Sequence, residues 1–303
     1  MKIGKKEMTF KKPSKRTVVT CVGLVLAISV GVATGFLLAF ELSPKGIDYS
    51  GLNEDGYADN NKKLYEDYLA NPKNPLDYSP NDLANISIYK YSLNKYTESS
   101  VTSAAKSMGV TQTTYGRSIK SDNEFFNESI SESSFVKVAK RFYQEGDKVD
   151  IYNGQIENDS NGVSGQYETK EELTVEQYED TWGRNLSQPV IYIISSKTTL
   201  DTSTITENEN GYTISLDLDP LTSVIRYSKQ MIQMSSLDNA PEFTKVHVEF
   251  NVDKDLNLLE MNVSEAYYVW VFGKNFTEAT LNEKYTILDS APKIPNIDEK
   301  IYF

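Results

Sequence analysis

The chain has 303 residues, of which 39% are apolar and 11% aromatic, so it is long enough to bury a core and is not disordered throughout. Its charge is uneven, because residues 1–40 hold seven basic residues and one acidic residue. The remainder holds 24 basic and 42 acidic residues, a net charge of −18. An acidic surface of this kind repels phosphate backbones, so we predict no nucleic-acid partner.

An uncharged apolar run from residue 17 to residue 40 predicts a transmembrane helix. At a rise of 1.5 Å per residue its length is about 36 Å, which is enough to cross a hydrocarbon core of about 30 Å. Seven Lys or Arg residues precede the run, whereas only Lys45 occurs in the next twenty residues. The positive-inside rule therefore predicts a single-pass signal-anchor in the cell membrane, with residues 1–16 as a basic cytoplasmic tail and the rest extracellular.

A cleaved signal peptide is the alternative, because Ala33, Thr34 and Gly35 have the small side chains that precede a cleavage site. The apolar run, however, continues for five residues beyond that site, through Phe40. Cleavage would leave this apolar segment exposed at the new N-terminus, so the sequence favours the anchor.

Small residues recur every fourth position within the predicted span. They are Gly23, Ala27, Gly31, Gly35 and Ala39. Such a row lets two helix backbones approach closely, which predicts pairing of the transmembrane helices in a homodimer. The alternative is that glycine and alanine are simply common in membrane helices.

Residues 41–78 are rich in Asp, Asn, Gly, Pro and Tyr and predict a polar tether. A short helical pattern lies within it, at Leu64, Tyr65, Tyr68 and Leu69. We place the extracellular domain at 79–303, where Ser79 and Pro80 form a typical helix start.

The first half of the predicted domain is mainly strand. Alternating, β-branched sequence runs from Val101 to Ile156, with a turn at 145–147. Thr174 and Gln177 form a capping box for a short helix. The apolar run 189–194 predicts a buried strand.

The second half combines hairpins with one amphipathic helix. Asn210-Gly211 predicts a hairpin turn, and residues 220–236 predict the helix. Alternating strands follow at 246–252 and 259–263, the second with Leu259, Met261 and Val263 on one face. The stretch 266–272 is apolar on both faces, which predicts that it is covered on both sides, and a last strand is expected at 277–288.

Residues that carry common chemistries are scarce. Cys21 is the only cysteine and lies in the predicted span, and His247 is the only histidine. The chain therefore cannot form an internal disulfide, and we predict no metal site, no cofactor and no catalytic residue. A hydrolase built on the abundant carboxylates is the remaining enzymatic alternative.

The order of elements predicts an α+β fold with a large curved antiparallel sheet and a few packed helices. The chain resembles the lipoprotein-carrier superfamily over about residues 80–288. The resemblance rests on the order of elements, on size, and on the helix 220–236 followed by the hairpin 246–263. That resemblance implies a half-open barrel around a helix, with an apolar ligand cavity. Its expected lining is Ile225, Met231, Ile232, Phe250 and Met261. The alternative is that these are ordinary core residues.

Two functional hypotheses follow from the sequence. The first is a membrane-tethered extracellular binding or sensing module without enzymatic activity, with a lipid or another hydrophobic ligand. The second is a structural or adaptor membrane protein that acts through transmembrane self-association and an acidic protein-binding surface. A sizeable cavity would favour the first hypothesis and a fully packed interior the second.

Overall fold

The computed structural model describes residues 56–134, 137–159, 162–235, 239–270 and 273–300. These residues form eleven strands and four α-helices. The helices are α1 (Asn61–Ala70), α2 (Pro80–Ser92), α3 (Val175–Trp182) and α4 (Ile225–Ser235). The strands are β1 (Tyr96–Ser107), β2 (Val110–Ser121), β3 (Glu124–Glu132), β4 (Lys137–Glu145), β5 (Lys148–Asp159), β6 (Gly162–Thr174), β7 (Thr204–Glu207), β8 (Gly211–Asp217), β9 (Glu242–Asp253), β10 (Leu258–Trp270) and β11 (Lys274–Ile287).

All eleven strands belong to one antiparallel sheet in the order β6-β5-β4-β3-β2-β1-β11-β10-β9-β8-β7. Strand β1 pairs with β11, so the first and last strands of the domain meet in the middle of the sheet. Strands β6 and β7 are the two edges, and the sheet is therefore open. The predicted α+β class with a large antiparallel sheet is confirmed.

One face of the sheet is covered by the helices, and we call it the inner face. Strand β9 shows why, because Val248, Phe250 and Val252 are buried while the residues between them are only partly buried. These inward residues join one hydrophobic core with helix residues such as Leu83 of α2 and Trp182 of α3. Alternation of period two thus fixes which face of each strand meets the helices.

Local capping signals in the sequence are confirmed. The Ser79 side chain accepts a hydrogen bond from the Asp82 N–H at 3.3 Å and begins α2. At α3, the Gln177 N–H donates to Thr174 Oγ1 at 3.1 Å, and the Thr174 N–H donates to the Gln177 side chain at 2.9 Å. Two backbone donors that the helix cannot satisfy are therefore satisfied by the capping box.

We expect Thr174→Ala to lower the free energy of unfolding by about 1 kcal/mol, because the Gln177 N–H loses its acceptor. Urea unfolding followed by circular dichroism measures the loss. A variant as stable as the unsubstituted protein would show that the capping box does not contribute to stability.

Residues 190–194 are buried, but the prediction that 189–194 forms a strand is wrong. It passes among the helices, where the Ile193 N–H donates to the Ser223 carbonyl at 2.8 Å. The Asn85 side chain donates to the Ile194 carbonyl at 2.9 Å. Side-chain and loop partners thus form hydrogen bonds with the backbone N–H and carbonyl groups that would pair with a neighbouring strand in a sheet.

The amphipathic helix begins later than predicted, at Ile225 instead of residue 220. The Asp219 carboxylate accepts hydrogen bonds from the N–H groups of Leu221 and Thr222, at 3.1 and 2.8 Å. These bonds hold residues 220–224 in turns. Asp219 therefore stabilises the turns before the helix, because its carboxylate accepts hydrogen bonds from nearby backbone N–H groups.

Strand β10 departs from the predicted pattern at both ends. The register shifts between Leu258 and Glu260, so Leu258 is buried and Leu259 is 41% exposed, opposite to the prediction. Towards the other end, Tyr268 and Trp270 are only partly buried, and Lys274 lies over both rings. The prediction that this stretch is covered on both sides is wrong for these residues.

A C-terminal segment, residues 288–300, crosses the outer face of the sheet. Ile294 packs against Ile119 and Phe126, two buried residues on that face. Arg141 of β4 is fully buried there, and its guanidinium donates to the carbonyls of Asn296 and Ile297 at 2.9 and 2.8 Å. The tail thus covers an apolar patch on the side of the sheet that has no helix.

The predicted transmembrane helix, 17–40, and its row of small residues lie outside the described residues. Within the described residues, no helix has the length and hydropathy needed to span a membrane. The anchor and the helix pairing therefore stay predictions.

Candidate functional site

Two clefts open along helix α2, next to the segment 188–190. Both include Gln188. We call the cleft next to α1 the tether cleft and the cleft lined by Arg184 the arginine cleft. In both clefts the helix layer leaves space next to groups that form hydrogen bonds.

The tether cleft has a volume of about 340 Å³, within the range of small-molecule sites. One wall is the chain just before and at the start of α1, and the opposite wall is α2 with the segment 190–194. Its lining combines apolar and polar side chains with backbone. The residues are Ala58, Asp59, Asn60, Asn61, Lys62, Asn85, Ile88, Tyr89, Gln188, Val190, Tyr192, Ile193, Ile194 and Arg226.

Helix α1 lies at the edge of the domain and none of its residues is fully buried. It contacts α2 through the rings of Tyr65 and Tyr89, whose centroids are 5.6 Å apart, and through a hydrogen bond from Asn61 to Asn85 at 3.3 Å. Lys197 donates to the Gly56 carbonyl at 2.5 Å just before the helix. The sequence indicated a short helix at this place, and the structure shows that it docks on the domain.

The arginine cleft is narrower, with a cavity volume of about 30 Å³, room for about two water molecules. Helix α3 ends at Gly183, whose φ of +75° is the left-handed conformation that favours glycine. The next residue, Arg184, lines the cleft with only 6% of its surface exposed. A side chain at Gly183 would also collide with the Arg226 carbonyl oxygen, 2.7 Å from the position of a Cβ atom.

Glu283 of β11 is the acidic residue of the arginine cleft. Its carboxylate accepts hydrogen bonds from the hydroxyls of Ser99 at 2.8 Å and Tyr285 at 3.0 Å. Burial raises the pKa of Glu283 to about 7, although the two hydroxyl donors and nearby Arg184 lower it in part. Burial therefore favours the neutral form of this carboxyl group.

A second buried carboxyl, Glu265 of β10, lies on the same inner face. The hydroxyls of Tyr192 and Tyr227 donate to its two oxygens at 2.7 and 2.9 Å. Burial raises the pKa of Glu265 to about 7, and the tyrosine hydrogen bonds lower it in part. None of the ion pairs among the described residues includes Glu265, so hydroxyl groups alone stabilise its charged form there.

The five residues predicted to line an apolar cavity are all buried in the core. Ile225, Met231 and Ile232 lie in α4, and Phe250 and Met261 face inwards from β9 and β10. None of them lines either of the two clefts. Met231, Phe250 and Met261 belong to one core cluster, and the apolar cavity stays a prediction.

His247 lies on the outer face, as its alternation with Val246 and Val248 predicted. It is partly exposed, and its Nδ1 is 2.7 Å from an Asp217 carboxylate oxygen. The described residues contain no group of three His, Cys, Asp or Glu side chains arranged to hold a metal ion.

Comparisons with known proteins give only distant likenesses. No protein-family model and no curated protein matches the chain. Among solved structures, the ywiB protein from Bacillus subtilis is 10% identical at a TM-score of 0.20, over 63% of this chain and 92% of that one. A DUF1329 family protein from Desulfovibrio piger is 13% identical at a TM-score of 0.23, over 72% and 96%.

A third solved structure, a porin-like protein from Bacteroides uniformis, is 10% identical at a TM-score of 0.21, over 65% of this chain and 98% of that one. Scores this low do not support a conclusion about fold or function. The resemblance to lipoprotein carriers accordingly stays a prediction, and the function has to be argued from the clefts.

Proposed function

We propose that the chain is a membrane-tethered extracellular binding module without enzymatic activity, and that it holds a small, partly apolar ligand in the tether cleft. The observation that carries the proposal is the cleft of about 340 Å³ between α1 and the body of the domain. Its size is that of a small-molecule site, and about half of its lining residues are polar or charged, which suits a ligand with both a polar and an apolar part.

The position of the cleft supports a sensing role. Helix α1 lies within the predicted tether, 41–78, so it is the helix of the described structure closest in sequence to the predicted anchor. Helix α1 has no fully buried residue and packs on the core through the partly buried Leu64, Tyr65 and Tyr68. A ligand in the cleft would contact both α1 and α2 and would stabilise the docked position of α1 by its own binding free energy.

The experiment is native mass spectrometry of the full chain, purified from membrane-producing cells and released from lipid nanodiscs. We expect an added mass that organic extraction identifies as a small amphipathic molecule. Ala58→Trp should abolish it, because the exposed Ala58 lines the cleft and an indole at this position would fill it.

The matched control is Ala70→Trp at the C-terminal end of α1, where the residue is exposed and outside the cleft. This variant should keep the added mass. A bare mass for the unsubstituted chain, or an added mass that both variants keep equally, would contradict the proposal.

A further inference from the structure

Arg184 is a buried cation that forms no direct ion pair among the described residues, although it lies near enough to Glu283 to interact with it electrostatically. One of its terminal nitrogens, Nη1, donates to the Gln188 carbonyl at 3.1 Å. Its Nε is shielded from solvent and has no hydrogen-bond partner among the described residues. Buried charges in proteins are normally paired with an opposite charge and hydrogen-bonded, and Arg184 lacks both a direct ion pair and an acceptor for its Nε.

Glu283 is the nearby acidic group, but its hydrogen bonds go to donors other than Arg184. Its two carboxylate oxygens accept from the hydroxyls of Ser99 and Tyr285, and it forms no ion pair with Arg184 among the described residues. Burial of Glu283 also favours its neutral form, which weakens its attraction for a guanidinium. The nearby acidic group is thus already engaged by other donors.

The rest of the arginine cleft is suited to an anionic group with an apolar part. Lys120 lines it as a second basic residue, and its Nζ lies 2.7 Å from the Ser92 carbonyl oxygen. Thr97 and Ser118 also line the cleft, and Phe125 and Leu186 form an apolar part of the lining. This basic lining is unlike the chain as a whole, which has a net charge of −12.

We infer that the arginine cleft binds the carboxylate group of a small amphipathic acid, with the guanidinium of Arg184 as its main partner. A planar guanidinium matches a carboxylate through two parallel hydrogen bonds, which a lysine cannot reproduce. The narrow cavity admits the carboxylate, and the apolar part of the acid lies against Phe125 and Leu186. This site is distinct from the tether cleft, so either proposal can fail without the other.

The test is saturation-transfer NMR of butyrate with the full chain in nanodiscs, at constant ionic strength. Butyrate should show saturable binding, and its neutral analogue butyramide should bind at least tenfold more weakly. Inorganic phosphate is the competing anion. Tighter binding of phosphate than of butyrate would assign the site to a phosphate group and overturn the carboxylate assignment.

Two variants test the role of Arg184. Arg184→Met should weaken butyrate binding at least tenfold, whereas Arg117→Met, which removes the same charge outside the cleft, should leave it unchanged. Ser187→Trp provides a second test that keeps Arg184, because Ser187 is an exposed residue in the lining of the cleft and an indole there would block it.

Circular dichroism and the melting temperature establish that each variant is folded. If Arg184→Met does not fold, the result for Ser187→Trp decides. Equal binding by every folded variant, or no saturable binding of butyrate to the unsubstituted chain, would overturn the inference.

Discussion

Arg141→Met is expected to lower the free energy of unfolding by about 3 to 5 kcal/mol, the usual cost of removing one partner of a buried ion pair. Arg141 and Glu128 lie side by side on the outer face, with Nε and Oε1 3.0 Å apart and both side chains fully buried. Methionine fills a similar volume but leaves the Glu128 carboxylate buried without its cation.

The same guanidinium also holds the C-terminal segment, through hydrogen bonds to the backbone carbonyls of Asn296, Ile297 and Glu299. Its loss should free residues 288–300 from the sheet and expose Ile119 and Phe126, which the tail now covers. We therefore expect faster proteolysis of the tail in Arg141→Met, in addition to the lower stability.

Arg117→Met is the matched control, because Arg117 and Glu98 form an ion pair at 2.8 Å with side chains about one third exposed. Exposed pairs contribute at most about 1 kcal/mol, so this substitution should have a small effect. Urea unfolding of both variants measures the difference. Similar losses would show that burial does not increase the contribution of the Arg141–Glu128 pair to the free energy of unfolding.

The architecture could be predicted from the sequence because it depends on local patterns. Period-two alternation predicted β9, a capping box predicted α3, and the Asn210-Gly211 turn predicted the β7–β8 hairpin. Each signal acts over a few residues, so no knowledge of distant contacts was needed. The segment 189–194 was mistaken for a strand because a short apolar run does not reveal its hydrogen-bonding partners.

The clefts could not be predicted in the same way, since they form between elements that are distant in sequence. Arg184 follows a glycine at the end of a helix, and nothing in its neighbours marks it as buried.

A usable signal did exist for the two buried carboxyl groups, Glu265 and Glu283. Glu265 follows Met261 and Val263 in the inward phase of β10, and Glu283 follows Leu281 in the inward phase of β11. An acidic residue at an apolar phase indicates a buried carboxyl.

The buried Glu265 should make the domain less stable as the pH rises. Its pKa is about 7 in the folded protein and 4.5 in an unfolded chain. Between these values the folded state binds more protons than the unfolded state, so the free energy of unfolding falls with increasing pH. At about 1.4 kcal/mol per pKa unit, the loss between pH 4.5 and pH 7 is about 3 kcal/mol.

Glu265→Gln should remove this part of the pH dependence, because glutamine does not ionise and still offers an oxygen to Tyr192 or Tyr227. Urea unfolding between pH 5 and pH 8 measures it, with Glu278→Gln on the exposed face of β11 as a control of equal charge change. The unsubstituted protein and the control should lose stability across this range, and Glu265→Gln should lose less.

Glu283 has a folded-state pKa of about 7 for the same reason, and Glu283→Gln should act alike. The two carboxyls lie on adjacent strands and share no hydrogen-bond partner, so the effects of the two substitutions should add. If the double variant kept the full pH dependence, neither carboxyl would titrate in the folded domain. If either single substitution alone removed the whole pH dependence, the two groups would titrate as a coupled pair through the inner face of the sheet.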